Sequence, residues 1–412
     1  IRLDLSNCFG TNSKCQNKPL WSVGGSWNIY KEKFFQADFV DMLKLRASYG
    51  IGGNIGRNTA PYLIASYYDS SLVDGMAGSV NTPPNKDIRW EKTTTVNVGV
   101  DFALFRHRLS GTIEYYNKYS VDLLAAINGS PTQGFGYTTL MTNNGKMVNR
   151  GVEITLSGEI IRQKDFSWNA SLLYAFNRNK VKHISVQPSL WDSRISMPTS
   201  YPMVGKPLYG IYAYKWAGLN ENGDPQVYDA ENNVTSGPAR DYHALVYCGT
   251  TVPIHNASLT NVLRYKGFEF SAMLILDAGH KLRSSNIPSI NMSNGRITST
   301  AKGIVDRWTQ PGDVTDVPRL LFSNDTENFN THRTELYRYS DLFVYDASNI
   351  RLSNISLAYR VPAHWCKKIS LSGARLQFNV ENVATFAFDS KANYDLGGKV
   401  KPNYVWGLYL NF

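Results

Sequence analysis

The sequence predicts an all-β fold, a transmembrane antiparallel β-barrel, from three observations. About twelve segments alternate apolar and polar residues with a period of 2, which places the apolar side chains of each segment on one face of a β-strand. Short and long connections follow one another strictly along the chain. The final segment carries an apolar stripe up to the last residue, and helical periodicity is hard to find in the 412 residues.

The alternation predicts the following strands, given in the order in which they occur along the chain. The first is partial and shows Ile1, Leu3 and Leu5. The others are predicted at 20–29, 43–49, 95–104, 108–118, 152–156, 166–176, 259–265, 268–277, 355–361, 375–381 and 403–412. No stretch approaches 18 consecutive apolar residues, so no transmembrane helix is predicted, whereas a barrel strand needs only about 9–11 residues to cross a bilayer.

The connections indicate which end of each strand faces which compartment. The short ones lie at 105–107, 161–165, 266–267 and 362–367, and the long ones at 51–88, 119–142, 179–255, 280–344 and 384–400. An outer-membrane barrel has short periplasmic turns and long extracellular loops, whereas a soluble sandwich has no reason for this alternation. Aromatic residues near the short turns suit an interfacial girdle, and they are Phe34, Phe35, Phe105, Phe166, Trp168, Tyr265, Phe268 and Trp365. The pattern therefore predicts a protein of the bacterial outer membrane.

The last strand is typical of such a barrel. Leu408, Leu410 and Phe412 are expected to face lipid, and Tyr409 and Asn411 to face the lumen. We interpret Leu408, Tyr409, Leu410 and Phe412 as an assembly signal at the carboxy terminus.

Composition and motifs exclude several other classes of function. The net charge of +10 comes from dispersed Lys and Arg without a nucleic-acid-binding motif, so nucleic acid is not expected as a partner, and contact with an anionic surface stays open.

Cys8 and Cys15 could form a disulfide or remain free thiols. No cofactor or metal site is predicted: the glycines of 50–56 lack a βαβ context, and the oxygen-rich segment 220–233 is interpreted as a Gly-Asp-Pro turn and a solvated loop. No Gly-x-Ser-x-Gly nucleophile motif occurs, and we do not expect an enzyme.

Five stretches go beyond barrel patterning. They are "LKLRASYGIGGN" (43–54), "RWEKTTTVNVGVDF" (89–102), "NNGKMVNRGVEITL" (143–156), "RWTQPGDVTDVPRL" (307–320) and "NIRLSNISLAYRVP" (349–362). In this order, and with this carboxy terminus, they resemble the SusC/RagA family of TonB-dependent outer-membrane transporters of the Bacteroidetes, over essentially the whole chain.

The resemblance implies a 22-stranded barrel, of which residues 1–412 would supply about twelve carboxy-terminal strands. It also implies an amino-terminal plug, a TonB box and a signal peptide, which this chain is expected to lack. The implied partners are a SusD-like surface lipoprotein that closes the barrel as a lid, the TonB complex, and an oligosaccharide or peptide solute. Outer-membrane lipid and lipopolysaccharide would surround the barrel.

Two sets of residues are candidates for contact with solute, plug or lid. By strand parity, the lumen-facing set is Arg108, Glu114, Lys118, Glu153, Arg375, Gln377 and Glu381. Exposed loop aromatics that could stack on sugars or pack against the lid are Tyr67, Tyr68, Tyr137, Trp191, Tyr201 and Tyr242. Packing of the loops among themselves is the alternative for the aromatics.

Two further functions stay open at this point. The barrel could be a non-transporting structural platform, or a component of a larger envelope complex. A soluble β-sandwich adhesin is the more distant alternative.

Overall fold

A computed structural model describes most of the chain. The described residues are 2–5, 17–56, 61–71, 75–128, 132, 139–188, 193–237, 241–292, 300–322, 331–368, 370–396 and 401–412. The expectations for Cys8, Cys15, Tyr137 and Trp191 fall outside these residues.

Long strands dominate the described chain. Twelve of them belong to one sheet: β1 (Arg2–Leu5), β2 (Asn17–Asn28), β3 (Val40–Asn54), β6 (Glu91–Leu104), β7 (Leu109–Asn128), β8 (Thr139–Arg162), β9 (Phe166–His183), β15 (His255–Tyr265), β16 (Phe268–Ala278), β21 (Asn349–Arg360), β22 (Gly373–Ala387) and β23 (Asn403–Asn411). Their order in the sheet is their order in the chain, so every predicted strand is confirmed.

Shorter elements occupy the long connections. The strands are β4 (Ile64–Ser70), β5 (Gly75–Thr82), β10 (Gly210–Tyr214), β11 (Trp216–Leu219), β12 (Pro225–Tyr228), β13 (Val234–Thr235), β14 (Leu245–Thr250), β17 (Lys281–Arg283), β18 (Asn291–Met292), β19 (Leu321–Phe322) and β20 (Val344–Asp346). The helices are α1 (Ser193–Ser196), α2 (Thr331–Arg338), α3 (Ala363–Lys367) and α4 (Asn393–Leu396). None of the described helices is long and apolar enough to cross a membrane.

The chain divides into two compact units. Unit 1 contains Ile1–Ser157, Ala175–Ser189 and Thr199–Leu208, and unit 2 contains Gly158–Tyr174, Leu190–Pro198 and Tyr209–Phe412. In both units, neighbouring long strands run antiparallel.

Register gives the sheet of unit 1 two chemically different faces. Leu45 lies opposite Val100, which lies opposite Ile113 on the next strand. One residue along, Lys44 lies opposite Asp101, and the polar series continues on β7. Because side chains alternate between faces, each strand adds to one apolar face and one polar face.

Unit 2 repeats this arrangement. Leu357 lies opposite Phe378, which lies opposite Trp406, and Ser356 lies opposite Asn379 on the other face. The apolar face is exposed: the exposed fractions are 47% for Leu357, 78% for Trp406 and 62% for Leu408. A continuous apolar surface of this kind marks a face that contacts lipid or another protein rather than water.

Several predicted loop boundaries were wrong because the strands are longer than the segments that show clear alternation; β9 continues to His183 and β22 to Ala387. The predicted loop 51–88 begins later, since β3 continues to Asn54, and both β7, which ends at Asn128, and β8, which begins at Thr139, extend into the predicted loop 119–142. Beyond Asp122, which has a φ of 56°, β7 continues through a stretch that is apolar on both faces. Such a stretch carries no period of 2 and so gives no strand signal.

The long connections of unit 2 form a packed subdomain. We call residues 209–254, 279–348 and 388–396 the loop subdomain; its described part contains the small sheets β10–β14, β11–β12–β13, β17–β20 and β18–β19. Side chains less than 2% exposed fill it, and they include Tyr212, Tyr214, Val227, Ile290, Met292 and Tyr337. The predicted solvated loop after the Gly-Asp-Pro turn was wrong in part, since Pro225–Tyr228 is a strand with Pro225 and Val227 buried.

Candidate functional site

The polar face of unit 1 centres on Arg46. Its Nε donates to Asp101 Oδ2 at 2.7 Å, and its Nη2 lies 2.7 Å from Glu114 Oε1. Thr112 Oγ1 donates to Asp101 Oδ1 at 3.0 Å. Gly99 makes room for this group, because a Cβ there would stand 3.2 Å from Arg46 Nη2. One guanidinium thus bridges carboxylates on two neighbouring strands.

The predicted lumen-facing residues of β7 and β8 lie on this face. Glu114 is held by Arg46, and the Lys118 Nζ stands 5.0 Å from the centre of the Tyr116 ring. The same ring lies over Gly151, where a Cβ would overlap it, so Glu153, two residues further along β8, faces the same way.

The parity argument does not apply to Arg108, because the strand predicted at 108–118 begins at Leu109. Residues 105–108 form the turn between β6 and β7, and Phe105, Arg106 and His107 have positive φ angles of 57°, 58° and 60°. Arg108 is exposed in this turn, so strand parity does not place it on either face.

A second charged group lies on the polar face of unit 2. Glu269 accepts from Arg264 Nε at 2.8 Å and from Arg375 Nη2 at 3.1 Å. Arg360 lies opposite Arg375, and Lys266 is in the adjoining turn. Two arginines therefore bind the Glu269 carboxylate, and Arg360 and Lys266 line the same cavity, so this patch near a short turn carries excess positive charge.

Gln377 and Glu381 continue that face along β22. Gln377 Nε2 donates to Asn379 Oδ1 at 2.9 Å and to Ser356 Oγ at 3.3 Å. Glu381 accepts from Asn403 Nδ2 at 3.3 Å. Parity therefore placed Arg375, Gln377 and Glu381 on one face correctly; whether that face lines a lumen stays a prediction.

The candidate assembly signal lies on the exposed last strand. Leu408 is opposite Leu376 on the apolar face, and Leu410 is opposite Ala374. Tyr409 is opposite Arg375 on the polar face, and Phe412 is 92% exposed. The side chains alternate as expected, and their role in assembly stays a prediction.

The loop aromatics divide into exposed and covered side chains. Tyr67 and Tyr68 on β4 are 71% and 53% exposed. The expected exposure of Tyr201 was wrong, because it is 8% exposed beside a buried Pro202, in a stretch that packs within its own unit. Tyr242 is half-buried, with the Arg194 guanidinium 4.9 Å from its ring centre. Loop self-packing therefore accounts for the last two.

Sequence reasoning missed the ion pairs of the loop subdomain. Asp224 binds Arg319 Nη2 at 2.8 Å and Arg333 Nε at 2.7 Å, and the Arg333 side chain is 3% exposed. Burial lowers the pKa of Arg333, and the charge of Asp224 acts in the opposite direction. The partners are 95 and 109 residues from Asp224 in sequence, so no local pattern points to them.

Further polar contacts join the separate connections of this subdomain. Arg283 Nη2 donates to the Tyr212 carbonyl at 2.7 Å. Asp395, from the connection before β23, accepts from Ser284 Oγ at 2.9 Å and from the Ser285 amide at 3.0 Å. Arg283 and Asp395 thus bind backbone groups and a serine hydroxyl of other connections, which favours one packed arrangement.

Within the described residues, no three or more His, Cys, Asp or Glu side chains are placed to hold a metal ion together.

Comparisons with known proteins agree with this architecture. The family described as "TonB dependent receptor-like, beta-barrel" matches residues 4–383. TonB-dependent receptor P3 of Formosa agariphila is 27% identical over 435 residues, which cover 99% of this chain and 41% of that protein. TonB-dependent receptor SusC of Bacteroides thetaiotaomicron is 26% identical over 404 residues, which cover 93% of this chain and 38% of that protein.

A solved structure shows the same fold. The structure of the RagAB peptide transporter matches with a TM-score of 0.76 and 23% identity, over 97% of this chain and 44% of the matched chain. The chain therefore spans about two fifths of the length of its curated relatives. The resemblance to the SusC/RagA group is confirmed, and the chain belongs to the TonB-dependent receptor-like β-barrel family of the outer membrane.

Proposed function

We propose that this chain supplies the barrel wall and the extracellular loops of a SusC-like nutrient importer. The importer takes up oligosaccharides or peptides, works with a SusD-like lipoprotein lid, and is energised through TonB. The observation that carries this proposal is that the long connections of a two-faced sheet form a packed loop subdomain, with a buried Arg333–Asp224 pair and an aromatic core. The names of the relatives SusC and RagAB support a transporter, and RagAB is a peptide transporter.

The wall has a passive chemical role in this proposal. Its apolar face seals against lipid, and its polar face presents paired charges such as Arg46–Glu114 and Arg375–Glu269. These charges hold the occluding plug of the importer by hydrogen bonds or contact the passing solute. No catalytic step is assigned to the chain.

The hairpin β4–β5 in unit 1 is the proposed contact for the lid. Tyr67, Tyr68 and Met76 are 71%, 53% and 70% exposed on this hairpin. Tyr and Met are enriched in protein–protein interfaces, and exposed apolar groups of this size cost free energy in water.

Purification of the whole protein from its native outer membrane tests the proposal. We expect a surface lipoprotein to co-purify, and uptake of labelled oligosaccharide or peptide to stop when the proton gradient is collapsed. Replacing Tyr67 and Tyr68 by Ser should release the lipoprotein, whereas Phe34→Ser, which removes an exposed aromatic near a short turn, should retain it.

The same experiment distinguishes the alternative function. A protein that retains the lipoprotein but imports neither class of solute is a structural platform. A protein that binds no lipoprotein at all contradicts the lid assignment.

A further inference from the structure

We propose that the extracellular ends of β8 and β9 bind the phosphorylated headgroup of lipopolysaccharide in the outer leaflet. The surface consists of Arg150, Arg178, Lys180 and Lys182, which we call the basic strip. All four side chains are exposed, and all four belong to unit 1. The inference depends on the membrane topology of the sheet, and the identity of the solute does not enter it.

Hydrogen bonds identify the face on which the strip lies. Trp168 Nε1 donates to Asn261 Oδ1 at 3.1 Å, and the Tyr174 hydroxyl lies 2.8 Å from His255 Nδ1. Asn261 lies opposite Ala272, between the apolar pairs Leu259–Leu274 and Leu263–Phe270, and therefore on the apolar face of β15 and β16. Even-numbered residues of β9 therefore lie on the apolar face.

The apolar series of β9 changes to a basic one. After Phe176, the next even positions are Arg178, Lys180 and Lys182. These three are exposed, whereas Asn177 and Asn179 between them are half-buried. The lipid-facing stripe therefore continues as a row of cations.

Arg150 on β8 joins the same face. Its Nε donates to Asn117 Oδ1 at 2.9 Å, and Asn117 is paired with Val96 in the apolar series of β6. Next to Arg150, a Cβ at Gly151 would stand 2.6 Å from the Phe176 carbonyl oxygen. Arg150 thus lies at the level of β9 where the basic row begins.

The height of the strip matches the headgroup level. Phe166 begins β9 at a short turn, and Phe176 is ten residues further along. Ten residues of a strand span about 33 Å, which is roughly 25 Å along the membrane normal at the usual strand tilt. The apolar band of an outer-membrane barrel is also about 25 Å tall. Arg178 is the first outward-facing residue beyond that band.

The strip has no counter-charge within the described part of the chain. None of its four side chains forms an ion pair there, and Arg150 has only the neutral Asn117. Like charges on neighbouring strands repel each other, and a multiply phosphorylated anion would offset this repulsion. The ligand must reach an outward-facing surface that continues the lipid-facing band, and this geometry favours an anionic lipid of the outer leaflet.

The test uses the whole detergent-extracted protein, reconstituted into nanodiscs of zwitterionic lipid with bisphosphorylated lipid A. Native mass spectrometry measures the lipid A retained by the wild type and by a variant with all four strip residues changed to Gln. The control changes Lys31, Lys33, Arg106 and Lys164 to Gln, which removes the same charge from exposed positions near the short turns. Heat-modifiable migration on gels confirms folding, and the pair Lys180→Gln and Lys182→Gln replaces the fourfold variant if that one does not fold.

We expect each removed strip cation to weaken lipid A retention by about fivefold, and the control to match the wild type. Lipid A without phosphates should be retained no better by the wild type than by the strip variant. Equal retention by the wild type and the strip variant would overturn the proposal. Equal loss in the control variant, or equal retention of the dephosphorylated lipid, would also overturn it.

Discussion

Arg333 and Asp224 form a buried ion pair in the loop subdomain, with Nε 2.7 Å from Oδ1 and only 3% of the Arg333 side chain exposed. Asp224→Ala removes the carboxylate and leaves Arg333 and Arg319 side by side. Loss of one partner of a buried pair typically costs about 3–5 kcal/mol, because the remaining charge is uncompensated. We expect the loop subdomain to open while the sheet stays folded. Hydrogen exchange in α2 and limited proteolysis of residues 209–348 measure this opening.

Asp306→Ala is the matched control for that change. Asp306 lies in the same connection but is exposed, so its removal should leave hydrogen exchange in α2 unchanged. Equal protection of α2 in the Asp224 and Asp306 variants would contradict the structural role of Asp224.

The Arg46 bridge gives a prediction for the polar face of unit 1. Arg46→Met leaves Asp101 and Glu114 close together without their shared cation. The three side chains are 19–35% exposed, so the expected loss of folding free energy is about 1–2 kcal/mol, below the value for a fully buried pair. Urea unfolding in lipid vesicles measures it.

Lys44→Met is the control for Arg46, because Lys44 is two residues away on the same face. A loss as large as that of Arg46→Met would show that total charge, rather than the bridge, stabilises this face. Adding Asp101→Asn and Glu114→Gln to Arg46→Met should restore part of the stability, because those two carboxylates then no longer repel each other.

Two adjacent residues of the last strand, Leu408 and Tyr409, allow the effect of a charge on its two faces to be compared. Leu408→Glu puts a charge opposite Leu376 on the apolar face, whereas Tyr409→Glu puts one opposite Arg375 on the polar face. Because the carboxylate introduced at position 408 would face lipid, Leu408→Glu should lower the free energy of unfolding by about 1–2 kcal/mol, whereas Tyr409→Glu should change it little. The folded fraction in the outer membrane, measured by heat-modifiable migration, should therefore fall for Leu408→Glu alone. Equal losses would show that the alternation of β23 does not decide insertion.

Cys248 should be an unreactive thiol. It is half-buried in the loop subdomain, and burial raises its pKa to about 11. At pH 8 the thiolate fraction is then about two orders of magnitude below that of an ordinary cysteine with a pKa near 8.5, and the thiolate is the nucleophile. Alkylation of Cys248 by iodoacetamide should be correspondingly slow and should accelerate in urea. Mass spectrometry of the peptide that contains Cys248 measures the rate. Rapid alkylation of the folded protein at pH 8 would contradict this environment.

The long strands could be predicted from sequence because each has one apolar and one polar face. Leu357 and Ser356, neighbours on β21, show this contrast directly. Parity also placed Glu114, Gln377 and Glu381 on the polar faces of their strands, and that these faces line a lumen stays a prediction. It does not apply to Arg108, which lies in the turn where Phe105, Arg106 and His107 have positive φ angles.

The loop subdomain could not be predicted in the same way. Gly210–Tyr214 is buried at every position, so it shows no alternation, and β18 and β19 have two residues each. The two ion pairs of Asp224 join residues about a hundred positions apart, so no local sequence pattern predicts them.

Lipid contact at Leu357 and Ser356 measures which face of the sheet lies against the membrane. Each is changed to Cys in a variant without the four native cysteines and labelled with a fluorophore, and quenching by brominated lipid is measured in vesicles. We predict strong quenching at position 357, which lies opposite Phe378, and little at 356, which lies opposite Asn379. Equal quenching at both positions, or stronger quenching at 356, would contradict a barrel wall with this face toward the membrane.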